Sequence, residues 1–223
     1  MGPGPGDATE ARVFNRDITW RDDGIEYEAD PRQAERLIEE CGLTEANPMS
    51  TPGVKISYQE HAADAPLPLS LHKPFRGLSA RANYLSADRI DEQYHCKEVC
   101  RSMAGPTSQS LKALERIGRY FIGRPRLVYS FPRQELSTID VHVDTDWAGC
   151  ARTRKSTSGG AVMLGRHTIK HWSSFQPSVT LRSDEAEFYR VVLGAGQGLG
   201  YQALLQDLGL ELPLRCGRIL ARH

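Results

Sequence analysis

The sequence predicts an α+β fold, and three observations carry that prediction. Apolar residues recur at helical spacing through the first two thirds, most clearly at Leu111, Leu114, Ile117 and Phe121. The period then drops to two at Ile139, Val141 and Val143, which argues for a half-buried strand. A long helical stretch from Ser183 to about Leu208 follows the strand region. At 223 residues the chain is long enough to bury a sizeable core.

Taken in order, residues 1–11 are rich in Gly and Pro and are expected to be disordered. Two β-prone stretches, 11–20 and 25–29, flank Asp22-Asp23-Gly24 and predict a hairpin. Asp30 as N-cap, Pro31 in the first turn and Gly42 as terminator frame a helix with Ala34, Leu37, Ile38 and Cys41 on one face. Residues 43–75 hold Pro48, Pro52, Pro66, Pro68 and Pro74 and predict a linker or extended loop. Helices are expected over about 76–104, in one or two pieces, and about 107–123, with Gly105-Pro106 between them. After the strand at 137–144, two more are expected at Ala161–Leu164 and Ile169–Trp172, joined by a turn at 165–168. Ser183 is the expected N-cap of the long helix. Gly194, Gly196, Gly198 and Gly200 weaken its middle by about 1 kcal/mol each relative to Ala.

Composition narrows the function. The chain carries 28 basic and 28 acidic side chains, so the net charge gives no steer toward nucleic acid, although a local basic patch is compatible with a balanced total. No apolar run approaches the roughly 20 residues that cross a bilayer, so no membrane span is expected. The start has no basic flank followed by an apolar stretch, and five scattered cysteines do not form a disulfide framework. Both point to a reducing compartment, cytoplasmic or nuclear.

The chemistry concentrates in the last third. Asp144 and Asp146 end the first strand there, and positions two apart on a strand point the same way. Glu187, early on the long helix, is their natural partner. Carboxylates converging from a strand and a helix bind hard divalent cations such as Mg²⁺, and a pair of such ions activates water in phosphodiester hydrolysis. Acids at a strand end and a helix start are also what turn and dipole preferences select without any site. Lys112, Arg116 and Arg119 share a helix face, extended by Arg124 and Arg126, and would suit a phosphate backbone or a solvated surface. Arg152, Arg154 and Lys155 follow the acidic strand and are candidates to hold nucleic-acid phosphates, or form an exposed basic loop. His95, Cys96 and Cys100 lack the second ligand pair of a zinc site and read as buried helix residues. His142, His167 and His171 have no serine or cysteine nucleophile paired in sequence, which leaves acyl transfer without support.

Three segments are more specific than their chemistry: Val143-Asp-Thr-Asp-Trp-Ala-Gly149, Arg154-Lys-Ser-Thr-Ser-Gly159, and Gln176-Pro-Ser-Val-Thr-Leu-Arg-Ser-Asp-Glu-Ala-Glu-Phe188. In that order and spacing they resemble the ribonuclease H region of copia-type retrotransposon Pol polyproteins. Upstream, residues 22–35 and 49–54 resemble the end of the family's reverse transcriptase. Residues 75–86 and 112–120 resemble its helical connection, so the likeness covers about 12–214.

Beyond the Gly/Pro-rich tail over 1–11, which is unlike the family, the resemblance implies a reverse transcriptase remnant over 12–57, a linker and connection over 58–136, and a truncated ribonuclease H-like mixed sheet over 137–223. The family's ribonuclease H degrades the RNA strand of RNA–DNA hybrids with acidic residues and two Mg²⁺ ions. By position, Asp144 and Glu187 are then catalytic and metal-ligating, with Asp146 as a neighbouring ligand. Lys112, Arg116, Arg119, Arg154 and Lys155 would contact nucleic acid. The family continues into a further strand with a third essential Asp. Here the tail after Arg215 departs from the family and holds no Asp, and the polymerase palm is absent. The expectation is a sheet lacking its later strands, weak Mg²⁺ binding and impaired catalysis. The alternative is a non-catalytic nucleic-acid-binding remnant or a pseudogene product. The expected partners are RNA–DNA hybrid or other nucleic acid and an intact Pol polyprotein.

Overall fold

The computed structural model describes residues 2, 4–54, 59–60, 63–150 and 153–218. The chain forms two compact units, Met1–Arg133 and Gln134–His223. Helices combine with one antiparallel and one mixed sheet, so the α+β class holds.

The first unit opens with an antiparallel sheet in the order β1 (Glu10–Val13), β2 (Arg16–Arg21), β3 (Gly24–Glu28), β4 (Val128–Pro132). Asp22 and Asp23 form the tight turn between β2 and β3, where the hairpin is expected. The strand β1 takes in Glu10 and Ala11, which the sequence assigns to a disordered tail. Helix α1 (Pro31–Glu40) starts on Asp30, whose carboxylate accepts the Arg32 N–H, and Gly42 supplies a left-handed φ of 67° after its end.

Helix α2 (Leu69–Ser86) corrects the loop expectation. Pro68 sits at its cap and Pro74 lies inside its second turn, where the missing N–H leaves the Ser70 carbonyl without its usual helical donor. Burial of Phe75, Leu78, Ala82 and Leu85 along one face outweighs that defect. Helix α3 (Gln93–Cys100) and helix α4 (Ser108–Gly123) complete the cluster. Thr107 and Ser110 cap α4 reciprocally. The shared core contains Leu37, Phe75, Leu85, Val99, Leu114, Ile117 and Phe121.

Arg89 clasps this unit from inside. Only 2% exposed, its guanidinium donates to Asp91 and to the Arg124 and Pro125 carbonyls, and it lies over the Phe121 ring. Cys96 and Cys100 belong to this interior. Their sulfurs lie 3.9 Å apart, and the Cys100 thiol reaches the Ser79 carbonyl.

The second unit is a mixed sheet in the order β7-β6-β5-β8 covered by helix α5. Its strands are β5 (Ile139–Asp146), β6 (Thr157–Leu164), β7 (His167–Phe175) and β8 (Leu214–Arg218), and α5 runs over Ser183–Asp207. The β5, β6 and β7 strands are antiparallel neighbours, and β6 and β7 run longer than predicted. Ile139, Val141 and Val143 are fully buried, as their alternation requires. Arg182, not Ser183, holds the cap position of α5, with no side-chain cap bond. The Glu185 carboxylate instead accepts the Leu181 N–H at 2.9 Å.

The tail forms a strand, against expectation. Leu214–Arg218 pairs in parallel with β5, Leu214 opposite Ile139 and Arg218 opposite Val143. Leu214 and Leu212 pack on the same core as Val141, which supplies the apolar contact that holds the strand. Two of the four glycines in α5 also have a packing role. A Cβ on Gly194 would lie 2.5 Å from Val143 Cγ1, and one on Gly198 2.7 Å from Val141 Cγ2 and Leu214 Cδ1. Their bareness lets α5 settle onto β5 and β8. Among the described residues no helix is long and apolar enough to cross a membrane.

Candidate functional site

Asp144 lies near the end of β5 and Glu187 in the second turn of α5. A third side chain brings them together. Arg190, one turn beyond Glu187, directs Nη1 to Asp144 Oδ1 at 3.0 Å and Nη2 to Glu187 Oε2 at 3.5 Å. The guanidinium is only 3% exposed, whereas the carboxylates remain 60% and 36% exposed. The acids therefore stand at the surface over a buried cation. Arg190 Nε has no hydrogen-bond partner among the described residues.

The backbone around the acids is fixed by a buried polar network. Ser156 Oγ accepts the Ala148 N–H at 3.1 Å and lies 3.1 Å from Thr180 Oγ1. The Gln176 N–H donates to the Ser156 carbonyl. The Gln176 side-chain amide donates to Ser158 Oγ at 3.0 Å and to the Ala186 carbonyl at 2.7 Å, one residue before Glu187. The three sequence segments that stand out in the last third thus meet in space, and Ser156, Ser158, Gln176 and Thr180 tie the loop after β5 to the start of α5. Ala148 takes a left-handed φ of 50° in that loop.

Asp146 is exposed at the end of β5, opposite Thr157 on β6. Its carboxylate folds close over Gly149, where a Cβ would collide with it. Arg154 is exposed with a φ of 56°, and Lys155 Nζ donates to the Pro177 carbonyl at 2.6 Å. Arg152 lies outside the described residues.

The α4 face belongs to the first unit. Lys112 is exposed there. Arg116 Nη2 donates to Thr51 Oγ1 at 2.9 Å and Arg119 Nε to the Asn47 carbonyl at 2.8 Å. Two members of the basic stripe thus hold the segment around residues 47–51 against α4.

The donor chemistry at Asp144 and Glu187 suits a hard cation, but the donor number does not. Among the described residues no group of three His, Cys, Asp or Glu side chains could hold a metal ion. A cation of the chain's own already pairs with both acids. The residues therefore do not fit a resident two-metal centre.

The structure brings the expected Asp144 and Glu187 together on Arg190, which the sequence reading did not single out. The available signal was its spacing, three residues from Glu187, which puts it on the same helix face.

Comparison with known proteins finds relatives of the chain. The chain is 30% identical over 167 residues to an uncharacterized mitochondrial protein of Arabidopsis thaliana, covering 74% of this chain and 68% of that protein. It is 33% identical over 138 residues to the retrovirus-related Pol polyprotein from transposon RE1 and 31% identical to that from transposon RE2, both of Arabidopsis thaliana. Each of these two matches covers 62% of this chain but only 9% and 10% of the respective polyprotein. No family model and no solved structure matches. The relatives define a class, the retrotransposon polyproteins. Within that class, the chain belongs to the copia-type retrotransposon Pol polyprotein family.

Proposed function

We propose that residues 137–218 are a ribonuclease H-type module whose acidic pair, Asp144 and Glu187, descends from a site hydrolysing the RNA strand of RNA–DNA hybrids, and that catalysis here is impaired. The observation that carries this reading is the convergence of the two carboxylates on one guanidinium, from a strand end and a helix start. The carboxylates are the groups through which a divalent ion would act on a phosphodiester, and two of them hold such an ion weakly. Mg²⁺ is therefore a weakly held ligand in this proposal. The nucleic-acid partner is RNA–DNA hybrid, and an intact Pol polyprotein is the proposed source of any missing acid.

The test is incubation of the purified chain with end-labelled RNA–DNA hybrid, in Mg²⁺ and in EDTA, beside Asp144→Asn. The expected result is RNA cleavage in Mg²⁺ that barely exceeds the Asp144→Asn background. Addition of a Pol polyprotein in which only the acids matching Asp144 and Glu187 are mutated, its remaining acids kept, should raise it. Robust turnover by the chain alone, abolished in Asp144→Asn, would overturn the impairment.

A further inference from the structure

Building on the acidic-site reading, we propose that Arg190 is the resident counter-cation of the Asp144–Glu187 pair, and that a divalent cation and this guanidinium are alternative occupants of it. The geometry supplies three reasons. Arg190 contacts both carboxylates, so it sits where their negative potentials overlap. It is almost wholly buried while they are not, so the chain retains a desolvated charge beneath its own acids. Its Nε–H has no partner among the described residues, so the ion pairs are the polar contacts that hold its head group.

Electrostatics then sets the direction of the effect. An isolated pair of carboxylates attracts a divalent ion, and a unit positive charge a few ångströms away opposes the same ion. The carboxylate lone pairs that accept from Arg190 are also withdrawn from metal coordination. Removal of the guanidinium converts a half-neutralised pair into a cation site. Retention of it keeps the acids close together without metal, since the cation offsets their mutual repulsion. Arg190 is a positioning residue in this account.

The probe is Mn²⁺ alone, titrated into the full chain and followed by electron paramagnetic resonance of the free ion. Arg190→Met keeps an unbranched stem that fills most of the same space and removes the charge. It should bind Mn²⁺ at least about ten-fold more tightly than the wild type, a floor set well below the unscreened Coulomb attraction because the two carboxylates are largely open to solvent. Arg190→Lys restores a cation and should fall back toward the wild-type affinity. The gain in Arg190→Met should vanish in the double variant with Asp144→Asn. No gain in a folded Arg190→Met chain, or a gain that survives Asp144→Asn, overturns the proposal.

Circular dichroism establishes whether the variants fold. If Arg190→Met does not, the wild type decides alone, through the ¹⁵N-resolved Nε–H resonance of Arg190. That resonance should shift as Mg²⁺ saturates the chain, and metal binding that leaves it unmoved also overturns the proposal. The parent reading fails separately: it falls if Asp144→Asn alters Mn²⁺ binding in neither background. If Asp144→Asn weakens binding to the wild type while Arg190→Met brings no gain, only the role of Arg190 falls.

Discussion

Glu92 is a carboxylic acid in the middle of the first unit, fully buried. Neither of its carboxylate oxygens has a hydrogen-bond partner among the described residues. Burial pushes its pKa well above the usual carboxylate range, and the Asp91 charge next to it pushes the same way. The folded state therefore keeps a proton that the unfolded chain releases. Since the native state binds more protons, stability falls as pH rises above the ordinary Glu value of 4.5, and the loss levels off only above the folded pKa. Glu92→Gln keeps the shape and removes the titration. It should melt higher than the wild type at pH 7, with the gap closing as pH falls toward 4. Each kcal/mol recovered is worth about 2–4 °C for a chain of this size. Thermal melts of the two proteins from pH 4 to pH 8 check this, and a constant gap across that range would refute it.

Helix α5 shows how one residue type has opposite effects within an element. Gly194 and Gly198 face β5 and β8 with no room for a methyl group, whereas a Cβ on Gly196 or Gly200 would meet nothing. Helix propensity alone favours alanine at all four by about 1 kcal/mol. Gly196→Ala and Gly200→Ala should therefore each stabilise the chain by about 0.5–1 kcal/mol. Gly194→Ala should instead destabilise it by about 1–3 kcal/mol, because Val143 lies in a packed core that cannot yield freely. Urea titrations of the three single variants give the signs directly, and a stabilising Gly194→Ala would contradict the close approach of helix to sheet.

The same elements show what the sequence makes legible. Helices with strong caps and stripes, α1 and α4, could be read from local residues, as could β5, whose buried residues alternate. Helix α2 was hidden because Pro66, Pro68 and Pro74 signal a loop, although Pro68 caps the helix and tertiary burial of Phe75 and Leu78 tolerates Pro74. Strands β4 and β8 were hidden for another reason. Each is five residues long, β4 pairs with a strand about a hundred positions earlier, and Leu214-Arg-Cys-Gly-Arg218 has little β propensity of its own. Their partners across the sheet make them strands. Arg190 was hidden because a guanidinium on an i, i+3 face is ordinary until the Asp144 carboxylate proves to lie beside it.

On the scale of the whole chain, each unit closes its own core, and the first carries a set of carboxylates with the opposite sign to Glu92. The Arg12 hydrogen bond lowers the pKa of Asp17, and the Arg32 hydrogen bond lowers that of Asp30. Burial raises Asp91, but the hydrogen bonds from Arg89 and Tyr120 outweigh it and leave the carboxyl below its usual range. A depressed carboxylate contributes stability that is present above its unfolded value of 3.8 and lost as pH falls through the folded value. Among these groups Asp91 matters most, because Arg89 is buried and its guanidinium would be left without its carboxylate partner. Asp91→Asn should cost about 3 kcal/mol near neutral pH, where a buried pair loses one member. The deficit should shrink below pH 3.8, because the unfolded wild-type chain then takes up a proton that the folded carboxylate resists. Trp20 is the only tryptophan of the first unit, so its emission in a Trp147→Phe, Trp172→Phe background reports that unit alone. Denaturant midpoints from that signal at pH 7 and pH 3 decide the matter. A deficit equal at both values would mean that the loss does not come from the Asp91 charge, and no deficit at either would mean that the Arg124 and Pro125 carbonyls hold Arg89 without help from Asp91.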